Sequence, residues 1–127
     1  MTDMNNPLAK VRGLGSAKDG THHWWNHRIT AVANIPLTIF MVISFVGNVG
    51  KTHADIIAWL KQPIASVAMI LFMINVLYHM RLGLQVAIED YVTNKGTKVA
   101  VMIAVTFACV AMAALSIFSI LKIAFGG

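Results

Sequence analysis

His79 lies inside a long apolar run, Gln62 to Met80, whose pattern continues past Arg81 to Ile88. In a helix the ring would stand about ten residues before the acidic exit at Glu89 and Asp90, roughly 15 Å along the axis. An imidazole that deep in hydrocarbon needs a partner, and three chemistries supply one: a proton relay, a hydrogen bond or a metal. His79, Gly83, Val86 and Asp90 recur on one face of such a helix. Gly83 removes a side chain one turn from the imidazole, as a flat macrocycle ligated at the histidine would require. The competing reading is a neutral histidine hydrogen-bonded to Asn75 or to another helix, and a lone His does not choose between them.

Two further groups have chemical potential. Glu89-Asp90-Tyr91 puts two carboxylates and a phenol where the apolar run ends. Tyr91 is either an aromatic anchor in the headgroup belt or a donor to a carbonyl oxygen held in an apolar pocket, such as that of a quinone, with Asp90 orienting it or assisting proton delivery. The segment Gly20-Thr-His-His-Trp-Trp-Asn-His-Arg28 places three His, two Trp and one Arg directly before the first apolar run. Trp24 and Trp25 suit a membrane interface, and Arg28 is either a topology determinant or, with a histidine, a site for anionic carboxylates. The three His lack a fourth ligand and the helix pattern of a zinc protease. Arg81 falls nearly opposite His79 and is expected to snorkel toward the headgroups. No nucleophile–base pair, phosphate loop, flavin motif or iron–sulfur motif is present, so the chain is not expected to be an enzyme by itself.

These residues must be positioned by membrane helices. The 127-residue chain is 57% apolar and only 12% charged, which leaves too few solvating side chains to cover a soluble core. Three uncharged stretches, Ile29 to Gly50, Gln62 to Met80 and Val99 to Leu121, reach the ~20 residues that cross ~30 Å of hydrocarbon as a helix. The predicted fold is therefore all-α and integral to the membrane, with three transmembrane helices over about 29–50, 62–88 and 99–122. Residues 1–28 form an N-terminal tail with an interfacial His/Trp segment, and 29–127 the transmembrane domain. The short connections make sequential helices antiparallel neighbours. The first 28 residues are polar, so no cleavable signal is expected and the tail is expected to be retained.

The net charge of +5 comes from basic residues near segment ends rather than from a patch with interleaved aromatics, which points to topology and not to nucleic acid. Lys10, Arg12, Lys18 and Arg28 precede the first span, and Lys95 and Lys98 lie in the second loop; Lys51, Lys61 and Lys122 fall on the other side. That excess places the N-terminus and the second loop of this multi-pass chain in the cytoplasm. The single cysteine, Cys109, lies within an apolar run and is read as a packing residue. Ala100, Ala104 and Ala108 recur every fourth residue, either as a stripe for close helix approach or simply because Ala is common in membrane helices.

Two blocks of this sequence resemble a known family. His79-Met-Arg-Leu-Gly83-Leu-Gln-Val-Ala-Ile-Glu-Asp90-Tyr91-Val92 is similar to the His-x3-Gly-x6-Asp-Tyr signature of the smaller hydrophobic membrane-anchor subunit, the D subunit, of succinate dehydrogenase (respiratory complex II). Gly20-Thr-His22, followed after five residues by Arg28, is the second block, and its wording resembles the alphaproteobacterial branch. The resemblance implies one half of a heterodimeric anchor bundle, a non-catalytic part of a succinate:ubiquinone oxidoreductase serving electron transport and the tricarboxylic acid cycle. It implies that His79 is one axial ligand of a haem b, its iron shared with a histidine of a second, cytochrome b556-type anchor subunit. Arg28, and less directly His22, would lie by the haem propionates; Tyr91 would hydrogen-bond ubiquinone, with Asp90 beside it. The implied partners are that second anchor, an iron–sulfur subunit, a flavoprotein subunit and membrane lipid. An anchor of a quinol:fumarate reductase shares this architecture, and a small structural membrane protein without haem is the reading from a different class. His23 and His27 receive no role.

Overall fold

The computed structural model describes Val11 and residues 18–126. Among the described residues there is no strand, and four helices follow one another: α1 (Lys18–Asn48), α2 (His53–Leu60), α3 (Pro63–Tyr91) and α4 (Lys95–Ala124). The stretches 29–48 of α1, 63–88 of α3 and 99–121 of α4 carry the three apolar runs, and each of these helices is long and apolar enough to cross a membrane. The chain is an all-α integral membrane protein. Each spanning segment measures 29 or 30 residues, about 44 Å of helix against ~30 Å of hydrocarbon, so several turns project into the headgroup layers.

The projecting turns change the boundaries read from the sequence. α1 does not begin where the apolar run begins; it starts at Lys18 and carries the whole His/Trp segment as helix. No proline interrupts residues 18–35, so a helix nucleated in the apolar run extends backward through the polar segment. The part of the expected tail over residues 1–17, Val11 aside, lies outside the described residues. α3 runs on to Tyr91, and α4 starts at Lys95 behind an N-cap at Asn94, whose Oδ1 accepts from the amides of Gly96 (2.9 Å) and Thr97 (3.1 Å).

The first loop holds a helix that periodicity did not reveal. α2 is capped by a reciprocal box: Thr52 Oγ1 accepts from the Asp55 amide at 3.3 Å, and Asp55 Oδ2 accepts from the Thr52 amide at 3.1 Å and its hydroxyl at 2.7 Å. Those bonds hold the Asp55 carboxyl below its usual pKa.

α3 is the central helix. It packs against α1 on one side and α4 on the other, while α1 and α4 make at most a marginal contact. Polar cross-links set the register and show both pairs to be antiparallel. Asn26 and Thr30 of α1 meet Tyr78 and His79, and Asn34 meets Asn75. Toward α4, Glu89 meets Lys98 and Arg81 meets Thr106. The buried apolar core among the described residues is thin: Ala65, Leu77, Leu82, Ile88, Cys109 and Ile120. Phe45, Phe107 and Phe118 are 66–76% exposed, which leaves the outer faces of α1 and α4 to lipid or another chain. Cys109 is buried between α3 and α4, the packing role expected for it. Ala100, Ala104 and Ala108 all face outward, so their stripe does not serve packing within this chain.

Candidate functional site

The α1 surface turned to α3 carries Asn26, His27, Thr30 and Asn34, spaced so that each lies one turn or less from the next. Opposite them α3 presents Asn75, Tyr78 and His79. Asn75 bridges the pair, its Nδ2 donating to the Thr30 carbonyl at 2.9 Å and to Asn34 Oδ1 at 2.8 Å. Asn26 Nδ2 reaches the Tyr78 hydroxyl at 3.5 Å. Such bonds hold helices together in lipid, where no hydrophobic force drives one apolar surface against another.

His79 is half-buried in this polar seam. Its Nδ1 lies 2.9 Å from the hydroxyl of Thr30, a buried residue. The imidazole thus has its hydrogen-bond partner on another helix, and that partner is Thr30 rather than Asn75. Its Nε2 has no hydrogen-bond partner among the described residues. One turn on, a Cβ built at Gly83 would meet no atom within 4 Å, so the helix face beside the imidazole is open.

Histidines of the segment ahead of the apolar run line up behind His79. The His27 ring packs against it with centroids 4.5 Å apart and planes inclined by 31°. His23 follows at 6.5 Å from His27, nearly parallel at 16°, and its buried Nε2 has no hydrogen-bond partner among the described residues. The three rings form a row and not a metal-holding cluster among the described residues. Neither His27 nor Thr30 stood out in the sequence as part of the site. Their signal was available only if α1 is extended backward from Ile29, because then 23, 27, 30 and 34 fall into one stripe at helical spacing.

Arg28 and His22 are not brought against His79 within this chain. Arg28 is exposed and its guanidinium lies 4.3 Å from the centroid of the Trp24 ring, on a side of α1 about 200° around from Thr30. His22 is also exposed. Asp90 and Tyr91 close α3 some twelve residues beyond His79, roughly 18 Å along the axis; both are exposed, Tyr91 at 86%. Next to them Glu89 is already engaged: its carboxylate accepts from Gln85 at 2.9 Å and its carbonyl from Lys98 at 2.8 Å. The end of α3 is therefore tied to the start of α4 while the Asp90–Tyr91 pair stays open.

Arg81 does not follow the snorkelling expectation. Its Nε donates across to Thr106 Oγ1 on α4 at 3.3 Å, and that hydroxyl donates back to the Met102 carbonyl at 2.8 Å. A cavity of about 190 Å³ opens beside it, lined by Leu77, Tyr78, Thr106 and Cys109 among others. A second of about 360 Å³ lies at the far end of the molecule among Met41, Phe45, Asn48 and Trp59. His79 lines neither.

A family model described as the succinate dehydrogenase/fumarate reductase transmembrane subunit matches residues 2–113. The chain is 36% identical to a succinate dehydrogenase hydrophobic membrane anchor subunit of Rickettsia bellii over 81% of this chain and 82% of that one. It is 30% identical to one of Rickettsia conorii over 85% and 86%. A protein of the same name from Paracoccus denitrificans is 28% identical and is matched over 94% and 92%. No solved structure gives a significant match.

Proposed function

This chain belongs to the succinate dehydrogenase/fumarate reductase transmembrane-subunit family as a hydrophobic membrane anchor, and from that premise we propose that it holds one side of a haem b at His79 and part of a ubiquinone site at Tyr91. The membership replaces the reading as an unrelated small structural membrane protein. The relatives named above are all anchors of succinate dehydrogenase, which favours that direction of electron flow over quinol:fumarate reduction.

His79 Nε2, without a partner among the described residues, supports the haem reading, and the space beside Gly83 fits the edge of a macrocycle. When bound, a haem ligated by two neutral imidazoles exchanges single electrons and offers no open position for oxygen chemistry. The second imidazole and the remaining walls would come from a cytochrome b556-type anchor subunit, consistent with a half-buried His79 that lines neither of the two cavities described above. Arg28 and His22 are exposed on α1 and would take the propionates by charge-assisted hydrogen bonds, although Arg28 lies on the side of α1 turned away from His79 in this chain.

At the end of α3, the Tyr91 hydroxyl would donate to a ubiquinone carbonyl oxygen. Asp90 would orient that phenol or pass a proton to the reduced quinone from the aqueous side. Electrons would arrive from an iron–sulfur subunit fed by a flavoprotein subunit that oxidises succinate, docked on the cytoplasmic face of a bacterial inner membrane. The excess of Lys and Arg on the side of the N-terminus and the α3–α4 loop supports that orientation.

The observation that carries the reading is the unpartnered His79 nitrogen beside an open glycine face. It is tested by the visible spectrum of the purified complex. A reducible b-type band present in the wild type and lost in His79→Ala is expected, with flavin content retained. A colourless wild-type complex, or an unchanged band in the variant, would overturn it.

A further inference from the structure

We propose that Thr30 is a positioning residue that fixes the proton of His79 on Nδ1 and thereby presents Nε2, with its lone pair, as the iron-binding nitrogen. The inference rests on the haem reading above and goes beyond it by assigning a role on α1 to a residue that touches no cofactor itself.

The argument is one of counting protons. A threonine hydroxyl has a single proton and two lone pairs. Three atoms surround Thr30 Oγ1: the Asn26 carbonyl oxygen at 2.8 Å, the His27 carbonyl oxygen at 3.0 Å and His79 Nδ1 at 2.9 Å. Carbonyl oxygens only accept. Were the hydroxyl to donate to Nδ1, its lone pairs would face two carbonyl oxygens at hydrogen-bond distance with no proton between them, a repulsive arrangement. The proton therefore lies toward the carbonyls, shared between them, and Oγ1 accepts from the imidazole. Nδ1 must then carry the N–H. A neutral imidazole has only one, so Nε2 is left as the base. Burial of Thr30, which is 7% exposed, keeps water from offering Nδ1 another partner.

Two features make the arrangement rigid. Asn75 donates to the carbonyl of Thr30 itself, pinning the backbone that bears the hydroxyl to the helix that bears His79. His27, packed at 4.5 Å, restricts rotation of the imidazole on its other flank. A hydrogen bond from the distal N–H of a ligating histidine sets ring orientation and raises the basicity of the ligating nitrogen, and loss of such a partner costs about 10–100-fold in metal affinity.

The test uses the purified complex with Thr30→Val, which keeps the shape and removes the hydroxyl, and Thr30→Ser, which keeps the hydroxyl. Haem per flavin, the haem midpoint potential and the low-temperature electron paramagnetic resonance of the oxidised haem are measured. Thr30→Val is expected to lose haem on dilution about 10–100-fold more readily, to shift the midpoint potential upward because a less basic imidazole stabilises ferric iron less, and to alter the resonance anisotropy. Thr30→Ser is expected to return all three toward wild type. Should Thr30→Val not assemble, Thr30→Ala takes its place against Thr30→Ser. Equal shifts in Ala and Ser would mean that packing alone matters and would overturn the assignment, as would a hydroxyl-free variant with wild-type haem content, potential and resonance. These outcomes are separate from failure of the haem reading, which is decided by His79→Ala and the wild-type spectrum.

Discussion

At Gly83 an added Cβ would meet nothing within 4 Å, so the glycine is not required by packing inside this chain. Its φ is ordinary for a helix, so no backbone strain demands it either. A helix interior prefers almost any residue to glycine by roughly 1 kcal/mol, so glycine here costs stability without a return visible within the chain. The return is sought outside it, beside the His79 imidazole. Gly83→Leu is therefore expected to leave the helices intact by circular dichroism and to reduce haem per flavin several-fold in the purified complex. Unchanged haem with bound leucine at that position would mean that the macrocycle lies elsewhere. At this scale the sequence was informative wherever hydrocarbon penalises a side chain: His79, Arg81 and the Asp90–Tyr91 exit were legible because each is anomalous in an apolar run. Thr30 was not, since a threonine that bonds its own preceding carbonyls is unremarkable in a membrane helix, and only the phase of α1 against α3 turns its oxygen to the histidine.

The helices themselves were legible from their apolar lengths, but their ends were decided by capping and by the absence of breakers. α1 reaches back to Lys18 because nothing in Gly20–Arg28 stops it, and that extension is what makes His23 and His27 neighbours of the site. α2 escaped notice because eight residues are too few to show a period, although Thr52 and Asp55 spell its cap. That cap has a pH dependence. Hydrogen bonds from Thr52 lower the Asp55 pKa in the folded chain, so the box is fully formed above the ordinary carboxylate range and is lost as the pH falls through the lowered value. The protection of the Asp55 and Ile56 amides, measured against intrinsic exchange at each pH, is expected to fall as the pH drops through the lowered Asp55 pKa, ahead of α3 and α4. Asp55→Asn is expected to show the faster exchange already at neutral pH. Exchange that is insensitive to both changes would mean the box does not hold the turn. The outward-facing alanines of α4 illustrate the remaining limit, because spacing reveals a stripe without telling which neighbour it faces.

Across the whole molecule, stability is concentrated in two polar seams on opposite sides of α3. Apolar burial is thin, and lipid offers little incentive for one apolar helix to prefer another over acyl chains. The α1–α3 seam holds through Asn75, which makes two bonds to α1, and through His79 with Thr30; the α3–α4 seam holds through Arg81 with Thr106 and Lys98 with Glu89. Because α1 and α4 barely touch, the seams are independent and damage to one should not spread to the other. Asn75→Leu removes both of its donations. At about 0.6 kcal/mol for an average interhelical bond in a membrane, and up to about 1.7, the loss comes to about 1–3 kcal/mol. Hydrogen exchange in the purified complex is expected to rise along residues 23–34 of α1, by about fivefold or more, while α4 keeps its protection. Haem content should fall in the same variant, since the backbone of Thr30 is no longer pinned to α3. Thr106→Val should give the opposite pattern, loosening α4 and leaving α1 and the haem unaffected. A uniform rise in exchange over both outer helices, from either substitution, would show that the three helices unfold as one body and that α3 is not a hinge between separate seams.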